Sequence, residues 1–499
     1  MNCIRNKGML VARTRSALRL TLIAALVLSA TNGAFAGSAT WKSSPATGDW
    51  NTATNWTPQT VPNGPSDVAT FATSNMTAVS LSAQTEVNGI TFNSGASAFT
   101  ITVPANNSGF GLNISGVGVT NNSGTTQKFV AAYPGFVQFF NSATVGSSTS
   151  YELDEPATMH FYNASNAGSG TFTLKGDPNN LGPIYVQFSD SATAQNGNFT
   201  VIDALIAFDD TSTAGSGTFT LNPSTAYDVV GNASNAYFEG NSTAGNATFT
   251  INGGTVASGG VGTYSTFVGD SSAGAATLIA NAGSSGGFGG SIQFNQRSIG
   301  GTSRVGVFGN GTGDRTDGNL DISGRRAAGV SIGSLEGTGS VFLGRRRLTI
   351  GSNDLSTTFS GMITDYPSGT GYLGSLRKIG NGKLTLSHSS GNNYDGGTTI
   401  NKGTLIAANN TGSATGSGPV QVNSGTLSGT GIINGAVTVG NGTRTGAILQ
   451  PGIGTTAGTL TINNTVTFNP PSGFKCNVNR ATTPLASKLR LWGSRSVSM

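Results

Sequence analysis

Apolar and polar residues alternate in short phrases that recur along the middle of this chain. Five phrases between residues 164 and 280 share a glycine-rich turn followed by two-residue alternation, and their apolar anchors are Phe172, Phe199, Phe219, Phe249 and Leu278. Alternation with a period of two predicts strands with one buried face. The anchors recur at intervals of roughly 20–30 residues, and a repeat of that length is typical of a solenoid.

A second series of strand-like phrases follows towards the C-terminal end. Each phrase is built around one leucine, and these leucines are Leu348, Leu384, Leu405, Leu427 and Leu460. Asn-Gly steps such as Asn381-Gly382 and Asn434-Gly435 punctuate the phrases, and both residue types tolerate the positive φ of tight corners. The intervals between the leucines, roughly 20–35 residues, fit one coil of a β-solenoid with loops of variable length at its corners.

A single coil of this length is unable to hold itself together. Ordering about 25 residues costs roughly 25–50 kcal/mol of backbone entropy, whereas each buried Phe, Leu, Ile or Val side chain contributes only about 1.5–3 kcal/mol. Stacked coils share backbone hydrogen bonds and bury both sides of every apolar layer, so stability is expected to belong to the stack. The open ends of such a stack need caps, because unpaired strand edges pair with other chains.

The segment from residue 37 to residue 150 differs from the repeats and is expected to form an N-terminal β region that caps the stack. It contains three of the four tryptophans, Trp41, Trp50 and Trp56. Large aromatic side chains at the start of a solenoid are expected to cover its exposed end. A carbohydrate-binding platform of tryptophan rings is the functional alternative.

Residues 1–36 have the pattern of a secretory signal peptide. Basic residues precede a short apolar core, Leu20–Ala30, and Ala34-Phe35-Ala36 is a small-x-small cleavage site. We therefore expect cleavage between Ala36 and Gly37. The apolar core is too short to span a bilayer as an anchor, and no transmembrane segment is expected in the mature chain.

Removal of the signal peptide changes the electrostatic picture. The signal holds five of the 26 basic residues and none of the 21 acidic ones, so the exported chain is formally neutral. A nucleic-acid partner is not expected, because binding to phosphates needs clustered positive charge. Charged residues make up only 9% of the chain and Gly 75 of its 499 residues, which argues against an ordinary enzyme domain with helical layers. Only Cys476 remains after processing, so no internal disulfide is expected.

Residues 374–405 contain a longer motif with a recognisable order. They read GSLRKIGNGKLTLSHSSGNNYDGGTTINKGTL and closely resemble the autotransporter-associated beta-strand repeat, also called the passenger-associated transport repeat. The matching residues are Leu376, Lys378, Gly380, Gly382, Leu384, Leu386, Asn392, Tyr394, Gly396, Gly397, Thr398, Ile400, Gly403, Thr404 and Leu405. The phrase at residues 333–361 looks like the coil that usually precedes this repeat, and residues 48–71 are similar to the N-terminal entry of large secreted proteins that carry it.

The resemblance implies a right-handed parallel β-helix passenger, exported by the Sec route and displayed at, or released from, a Gram-negative cell surface. Autotransporters end in a membrane β-barrel of about a dozen strands, and the residues after Pro471 are too few to encode one. Residues 471–499 are basic and poor in glycine. We interpret them as an irregular tail that is truncated or frame-shifted, or as an unusual cap.

Histidine chemistry has little support in the sequence. The chain contains two histidines, His160 and His388, and neither has a second ligand at metal-binding spacing. His388 lies in a polar stretch and is expected to face solvent. His160 is expected to be a structural strand residue beside aromatic side chains.

Acidic residues offer two further candidate sites. Asp209 and Asp210 are the nearest approach to the carboxylate pair of a glycoside hydrolase, but they fall at a position that favours a structural corner. The equivalent positions of other repeats are Ser189-Asp190, Glu239-Gly240 and Gly269-Asp270. The acids Asp314, Asp317 and Asp321 lie among glycines but lack the order of a calcium-binding repeat, so a calcium site is not favoured.

Two runs of arginine, Arg325-Arg326 and Arg345-Arg346-Arg347, are expected to be solvated faces, with contact to an anionic glycan as the functional alternative.

The sequence therefore predicts an all-β protein, a right-handed parallel β-helix (β-solenoid) with an N-terminal β cap region. Residues 151–328 are expected to form degenerate solenoid repeats and residues 329–470 autotransporter-associated β-strand repeats. We expect a non-enzymatic structural or adhesive protein, without cofactor or metal, whose polar faces contact extracellular matrix, a glycan or another cell surface. The alternatives are a polysaccharide lyase or hydrolase on the same scaffold, or a non-functional gene fragment.

Overall fold

The chain forms a β-solenoid, as predicted. The structure is a computed structural model that describes residues 37–105, 109–132, 134–154, 156–176, 184–223, 233–255, 262–365, 372–443, 446–479, 485–491 and 497–498. The signal peptide predicted at residues 1–36 lies outside the described residues. Within them, the regular structure is strand apart from one short 3-10 helix, Ala53–Asn55. Nearly all strands pair in parallel with the equivalent strand of the coil before and the coil after.

One face of the solenoid, here called the first ladder, is a sheet of 15 strands. Its order is Trp56–Thr57, Ala39–Trp41, Gly64–Phe71, Thr85–Phe92, Gly111–Asn121, Phe136–Phe139, Thr158–Phe161, Ile184–Phe188, Ala204–Phe208, Asn235–Phe238, Tyr264–Phe267, Ser291–Phe294, Asn319–Asp321, Ser340–Phe342 and Met362–Thr364. At the usual strand spacing of about 4.8 Å this ladder is roughly 70 Å long.

A second ladder takes one strand from almost every coil. Its strands are Ala78–Ser80, Thr100–Val103, Gln127–Ala131, Thr149–Asp154, Thr171–Lys175, Asn198–Ile202, Thr218–Asn222, Thr248–Ile251, Thr277–Ala280, Arg304–Val307, Ser334–Gly337, Thr357–Phe359, Lys383–Leu386, Thr404–Ala407, Gly425–Gly429, Ala447–Pro451 and Ser472–Phe474. Its register pairs the anchors Phe172, Phe199, Phe219, Phe249 and Leu278 in that order, as their spacing predicted.

A third ladder changes width along the axis. In the N-terminal half it is a column of single-residue bridges through Gly118, Thr144, Asn166, Thr193, Thr213, Thr243, Ser272 and Ile299. In the C-terminal half it is a sheet of eight strands: Gly329–Ile332, Arg347–Ile350, Ser375–Lys378, Thr398–Ile400, Val420–Val422, Val437–Val439, Val466–Phe468 and Val497–Ser498. This sheet overlaps the first ladder only as far as Met362–Thr364, so the coils that carry Leu384 and Leu405 have strands on the second and third ladders.

Two small sheets complete the C-terminal end. One joins Ile432–Ile433, Thr459–Ile462 and Lys488–Leu491, and the other is the antiparallel pair Val478–Asn479 and Leu485–Ala486. The described parts of the basic tail thus include strands that continue the pairing of the preceding coils.

The core is a pair of aromatic columns inside the solenoid. On the first ladder Phe139, Phe161, Phe188, Phe208, Phe238, Phe267 and Phe294 stack with ring centroids 4.4–5.0 Å apart. On the second ladder Phe129, Tyr151, Phe172, Phe199, Phe219 and Phe249 stack at 4.3–5.1 Å. Within a coil the two columns meet edge to face, for example Phe188 and Phe199 at 6.1 Å. These are the two favoured geometries of aromatic pairs.

The three N-terminal tryptophans close the first end of this core. Trp41, Trp50 and Trp56 are at most 1% exposed, and Trp56 packs edge to face on the other two rings and on Phe71. The strand Trp56–Thr57 pairs antiparallel with the first parallel strand and so covers the sheet edge. The alternative of a tryptophan platform for carbohydrate is wrong, because the rings are buried.

Two of the five leucines that mark the second repeat series lie off the ladder of the other three. Leu384, Leu405 and Leu427 are paired in register on the second ladder. Leu348 pairs with a residue of the third ladder and Leu460 with one of the small C-terminal sheet. All strands of a coil alternate in the same way, so a leucine phrase identifies a strand but not its ladder.

Candidate functional site

The lysine of the 376–405 motif is a buried connector at one corner of the solenoid. Lys378 is 1% exposed at the end of a third-ladder strand. Its Nζ donates to the carbonyl oxygens of Ile379, of Gly380 at 3.0 Å and of Lys402 at 3.4 Å. Burial lowers the pKa of Lys378 to about 8, and the nearby Asp354 carboxylate opposes this effect. The ammonium group therefore satisfies carbonyl groups at a corner between two adjacent coils.

Two glycines of the motif occupy the same corner. Gly380 and Gly403 have φ of 68° and 69° and stack on each other. A Cβ on Gly403 would overlap the carbonyl oxygen of Gly380 in the coil before it. The motif needs glycine here both for its left-handed backbone and for the close approach of successive coils.

Asn392 of the motif links the coils on either side of its own. Its Oδ1 accepts the N–H of Ile363 at 2.8 Å, and its Nδ2 donates to the carbonyl oxygen of Ala414 at 2.7 Å. Tyr394 lies fully buried beside it, with its hydroxyl 2.6 Å from Thr398 Oγ1. The polar residues of the motif are thus hydrogen-bonded to backbone or to each other within the solenoid.

The apolar members of the motif fill the core of the coil. Leu376, Leu384, Leu386, Ile400 and Leu405 are each at most 1% exposed. The motif as a whole therefore describes one and a half coils of structure: inward side chains, a corner lysine, tight glycines and a bridging asparagine. None of these residues converges on a cleft with a second reactive group.

Comparison with known families agrees with this geometry. Residues 376–407 match the model of the passenger-associated transport repeat. The chain carries this repeat. Together with the solenoid fold, the repeat fits an autotransporter passenger-like protein. No curated protein and no solved structure matches the chain.

Outside the passenger-associated transport repeat, the acids Asp209 and Asp210 lie at a corner, as their position predicted. Asp210 has a φ of 55°, and its carboxylate accepts the N–H of Asp190 at 3.1 Å from the preceding coil. Asp209 accepts a hydrogen bond from Gln187 of the preceding coil. The register differs from the sequence alignment in one coil, because Gly269 and not Asp270 stacks on Gly240.

Asp209 has a second neighbour, Glu239, at the equivalent position of the next coil. Phe208 and Phe238 are register partners, so the residues that follow them, Asp209 and Glu239, are adjacent on neighbouring coils. Burial, with the charges of Glu239 and Asp209, raises the pKa of the Tyr237 phenol to about 12. These two carboxylates and one tyrosine form a polar group on the outside of the first ladder.

The other sequence candidates have structural partners. His160 Nδ1 lies 2.7 Å from the Tyr162 hydroxyl, among aromatic rings as expected. His388 does not face solvent freely: it is partly buried, with Nδ1 2.7 Å from the Gly391 carbonyl oxygen and Nε2 3.1 Å from that of Gly311. The prediction that His388 faces solvent is wrong, because its second partner comes from a loop 77 residues earlier.

The three acids of the glycine-rich loop act separately. Asp317 is 1% exposed and accepts hydrogen bonds from the backbone of Asn310 at 2.6 Å and of Thr312 at 2.8 Å. Asp314 and Asp321 each cap their own short turn. Among the described residues, no group of three or more His, Cys, Asp or Glu side chains is placed to hold a metal ion.

The arginine runs differ from the expected solvated faces at one position. Arg325 is only 3% exposed and donates to the Ser298 carbonyl oxygen, and burial lowers its pKa. Its neighbour Arg326 is exposed, as are Arg345 and Arg347, and the Arg345 guanidinium lies 4.8 Å from the centre of the Tyr372 ring. Arg325 is the member of its run that forms a single-residue backbone bridge with Gln296 of the preceding coil.

The outer side of the first ladder has an aromatic character that sequence reasoning missed. Side chains on this side alternate with the buried core residues of each strand and include Tyr185, Tyr237 and Tyr264, all partly exposed. Amide and imidazole groups accompany them at His160 and Gln187. The equivalent side of the second ladder presents a column of threonines instead: Thr173, Thr200, Thr220 and Thr250.

No helix in the described part of the chain has the length and apolar character needed to cross a membrane.

Proposed function

We propose that this chain is an exported, non-enzymatic adhesive scaffold that acts at the cell surface or outside the cell. The observation that supports this most strongly is the contrast between its inside and its outside. The inside is a continuous core of stacked rings, whereas the outer side of the first ladder carries Tyr185, Tyr237 and Tyr264 on three of four consecutive coils. Rings with neighbouring hydrogen-bonding groups suit the apolar faces and hydroxyls of a sugar polymer.

Binding would use many weak contacts along one side of a rigid stack. Each ring contributes little alone, but contacts on several coils act together because the scaffold holds the rings at fixed positions. The partner we favour is a polysaccharide of the extracellular matrix or of another cell surface. Cleavage between Ala36 and Gly37 and passage by the Sec route are the export steps that this function requires.

A binding assay with two matched triple variants tests the proposal. The full chain on beads is retained on a polysaccharide-coated surface, and Tyr185→Ala/Tyr237→Ala/Tyr264→Ala is expected to reduce retention by roughly 100-fold, at about 1 kcal/mol for each ring. The control is Thr173→Ala/Thr200→Ala/Thr220→Ala on the second ladder, which is expected to bind normally. Equal retention of both variants would refute the assignment of this face.

A second candidate function is a polysaccharide lyase or hydrolase, and one observation favours it. Asp209 and Glu239 follow register partners on neighbouring strands, at a backbone spacing of about 4.8 Å, which is near the carboxyl separation of retaining glycosidases. If the unchanged chain released new reducing ends from the bound polysaccharide and Asp209→Asn/Glu239→Gln abolished this release, the enzyme would be the better proposal. We expect neither the unchanged chain nor this double variant to release reducing ends.

A further inference from the structure

The chain beyond residue 36 is formally neutral, but its charge is divided into two opposite parts along the solenoid axis. Residues 129–296 contain 11 acidic residues and one Lys or Arg, a net charge of −10. Residues 297–499 contain 18 basic and seven acidic residues, a net charge of +11. The sign of the charge thus changes near residue 297, close to the middle of the stack.

The same change of sign occurs along a single edge of the solenoid. This edge, here called the switch edge, consists of the corner residues that follow successive first-ladder strands. Its acidic part contains Asp190, Asp209, Asp210, Glu239 and Asp270, and its basic part contains Arg297, Arg326 and Arg345. The register of neighbouring strands places these residues on seven successive coils.

Where the acidic and basic parts meet, an ion pair joins two neighbouring coils of the same chain. Arg297 and Asp270 are on neighbouring coils, and Arg297 Nε donates to Asp270 Oδ1 at 2.7 Å. Close to this junction Ile299 is 53% exposed, at a position where the four preceding coils carry Thr or Ser. The middle of the switch edge therefore combines an apolar side chain with the change of sign.

We propose that the switch edge binds a second copy of this chain, with the two solenoids antiparallel. A two-fold axis near the junction brings the acidic part of each copy opposite the basic part of the other. Such an isologous contact uses the same surface on both partners and closes at the dimer. Charge complementarity selects this occupant, because any other ligand of one sign would be attracted by one half of the edge and repelled by the other. The proposal goes beyond adhesion and does not depend on it.

Charge-reversal variants in two groups provide the test. Glu239→Lys/Asp270→Lys makes the switch edge basic, and Arg326→Glu/Arg345→Glu makes its basic part acidic. Sedimentation velocity of the full chain at low salt is expected to show a dimer that weakens about tenfold or more at 0.5 M salt, where the screening length falls to a few Å. Each variant alone is expected to dimerise at least about tenfold more weakly than the unchanged chain. An equimolar mixture of the two variants is expected to recover the dimer, since their edges are again complementary.

A matched control keeps this experiment specific. Lys383→Glu/Lys402→Glu changes two exposed lysines beside the second ladder and is expected to dimerise like the unchanged chain, and circular dichroism establishes that every variant is folded. A monomeric unchanged chain at low salt, or a mixture that stays monomeric although both variants are folded, would overturn the proposal. So would the finding that a heparin fragment binds the unchanged chain as a monomer and is lost with Arg326→Glu/Arg345→Glu, since the edge would then serve an anionic polymer. Loss of glycan retention in the tyrosine variant leaves this dimer unaffected, so the two proposals fail separately.

Discussion

Replacing Phe199 by alanine tests whether the aromatic columns hold the coils together layer by layer. Phe199 is fully buried and lies between two rings of its column, 4.3 Å from Phe172 and 4.8 Å from Phe219. Its neighbours are held in turn by rings of the other column, such as Phe208 at 5.9 Å from Phe219. The hole left by the substitution is therefore unable to collapse, and the cost should lie at the upper end of about 3–5 kcal/mol.

Two further substitutions provide a comparison for the stability cost of Phe199→Ala. Phe199→Leu is expected to cost less than about 1.5 kcal/mol, because the chain itself changes from Phe to Leu in this column between Phe249 and Leu278. Thr200→Ala removes a side chain on the outer side of the same strand and should cost no more than about 0.5 kcal/mol. All three substitutions lie in the same strand, so differences in their cost report on the packing of the aromatic column.

Amide hydrogen exchange is the appropriate assay, because a solenoid is able to open locally. In Phe199→Ala the amides of Thr171–Lys175, Asn198–Ile202 and Thr218–Asn222 are expected to exchange at least about 100-fold faster. Amides of Thr85–Phe92, several coils away, should keep their protection. Equal acceleration in both regions would mean that the stack opens as a single unit, and the layer-by-layer reasoning would be refuted.

One further substitution lies in the passenger-associated transport repeat, and another changes a carboxylate beside it. Gly403→Ala is expected to lower the free energy of unfolding, measured by heat or urea, by roughly 3 kcal/mol or more, because a left-handed φ and overlap with Gly380 act together. The control Gly442→Ala, at φ 80° with no atom within 4 Å of the added Cβ, should cost only about 1 kcal/mol. Equal losses of stability in the two variants would contradict this account. Burial and the charge of Asp395 raise the pKa of Asp365 to about 6, so its contribution to stability is present below about pH 4 and is lost as the pH rises through 6. Asp365→Asn should therefore stabilise the chain by about 1 kcal/mol above pH 6, after allowance for its partial exposure, and by nothing near pH 4; a difference in unfolding midpoint that does not vary with pH would exclude Asp365 as its source.

Inward-facing residues could be predicted from the sequence because their pattern is local. The phrases around Phe172, Phe199 and Phe219 specify alternation and a glycine turn, and these features suffice to place each phenylalanine in one column. The burial of Trp41 and Trp50 followed from the same principle, since an open end of an apolar core must be covered. The corner position of Asp210 was predictable from its place after a strand.

Outward-facing chemistry could not be predicted in the same way. Which side chains become neighbours on the surface depends on the register between coils, and loops of unequal length hide this register in the sequence. The repeats placed Glu239 at the position equivalent to Asp209, but they did not reveal that Gly269 and not Asp270 stacks on Gly240 in the next coil. The contact of His388 with the Gly311 carbonyl oxygen crosses several coils and has no local signal. The alignment of charges along the switch edge likewise becomes visible only once the coils are stacked.

The winding of the chain across the axis has a mechanical consequence. Tension applied between the two ends loads the hydrogen bonds between coils one layer at a time, since no covalent segment runs straight along the stack. A coil such as the one from Phe172 to Phe199 adds about 4.8 Å to the folded length, yet supplies about 90 Å when pulled out. A surface anchor built in this way would lengthen by steps under load and so limit the force passed to whatever it holds.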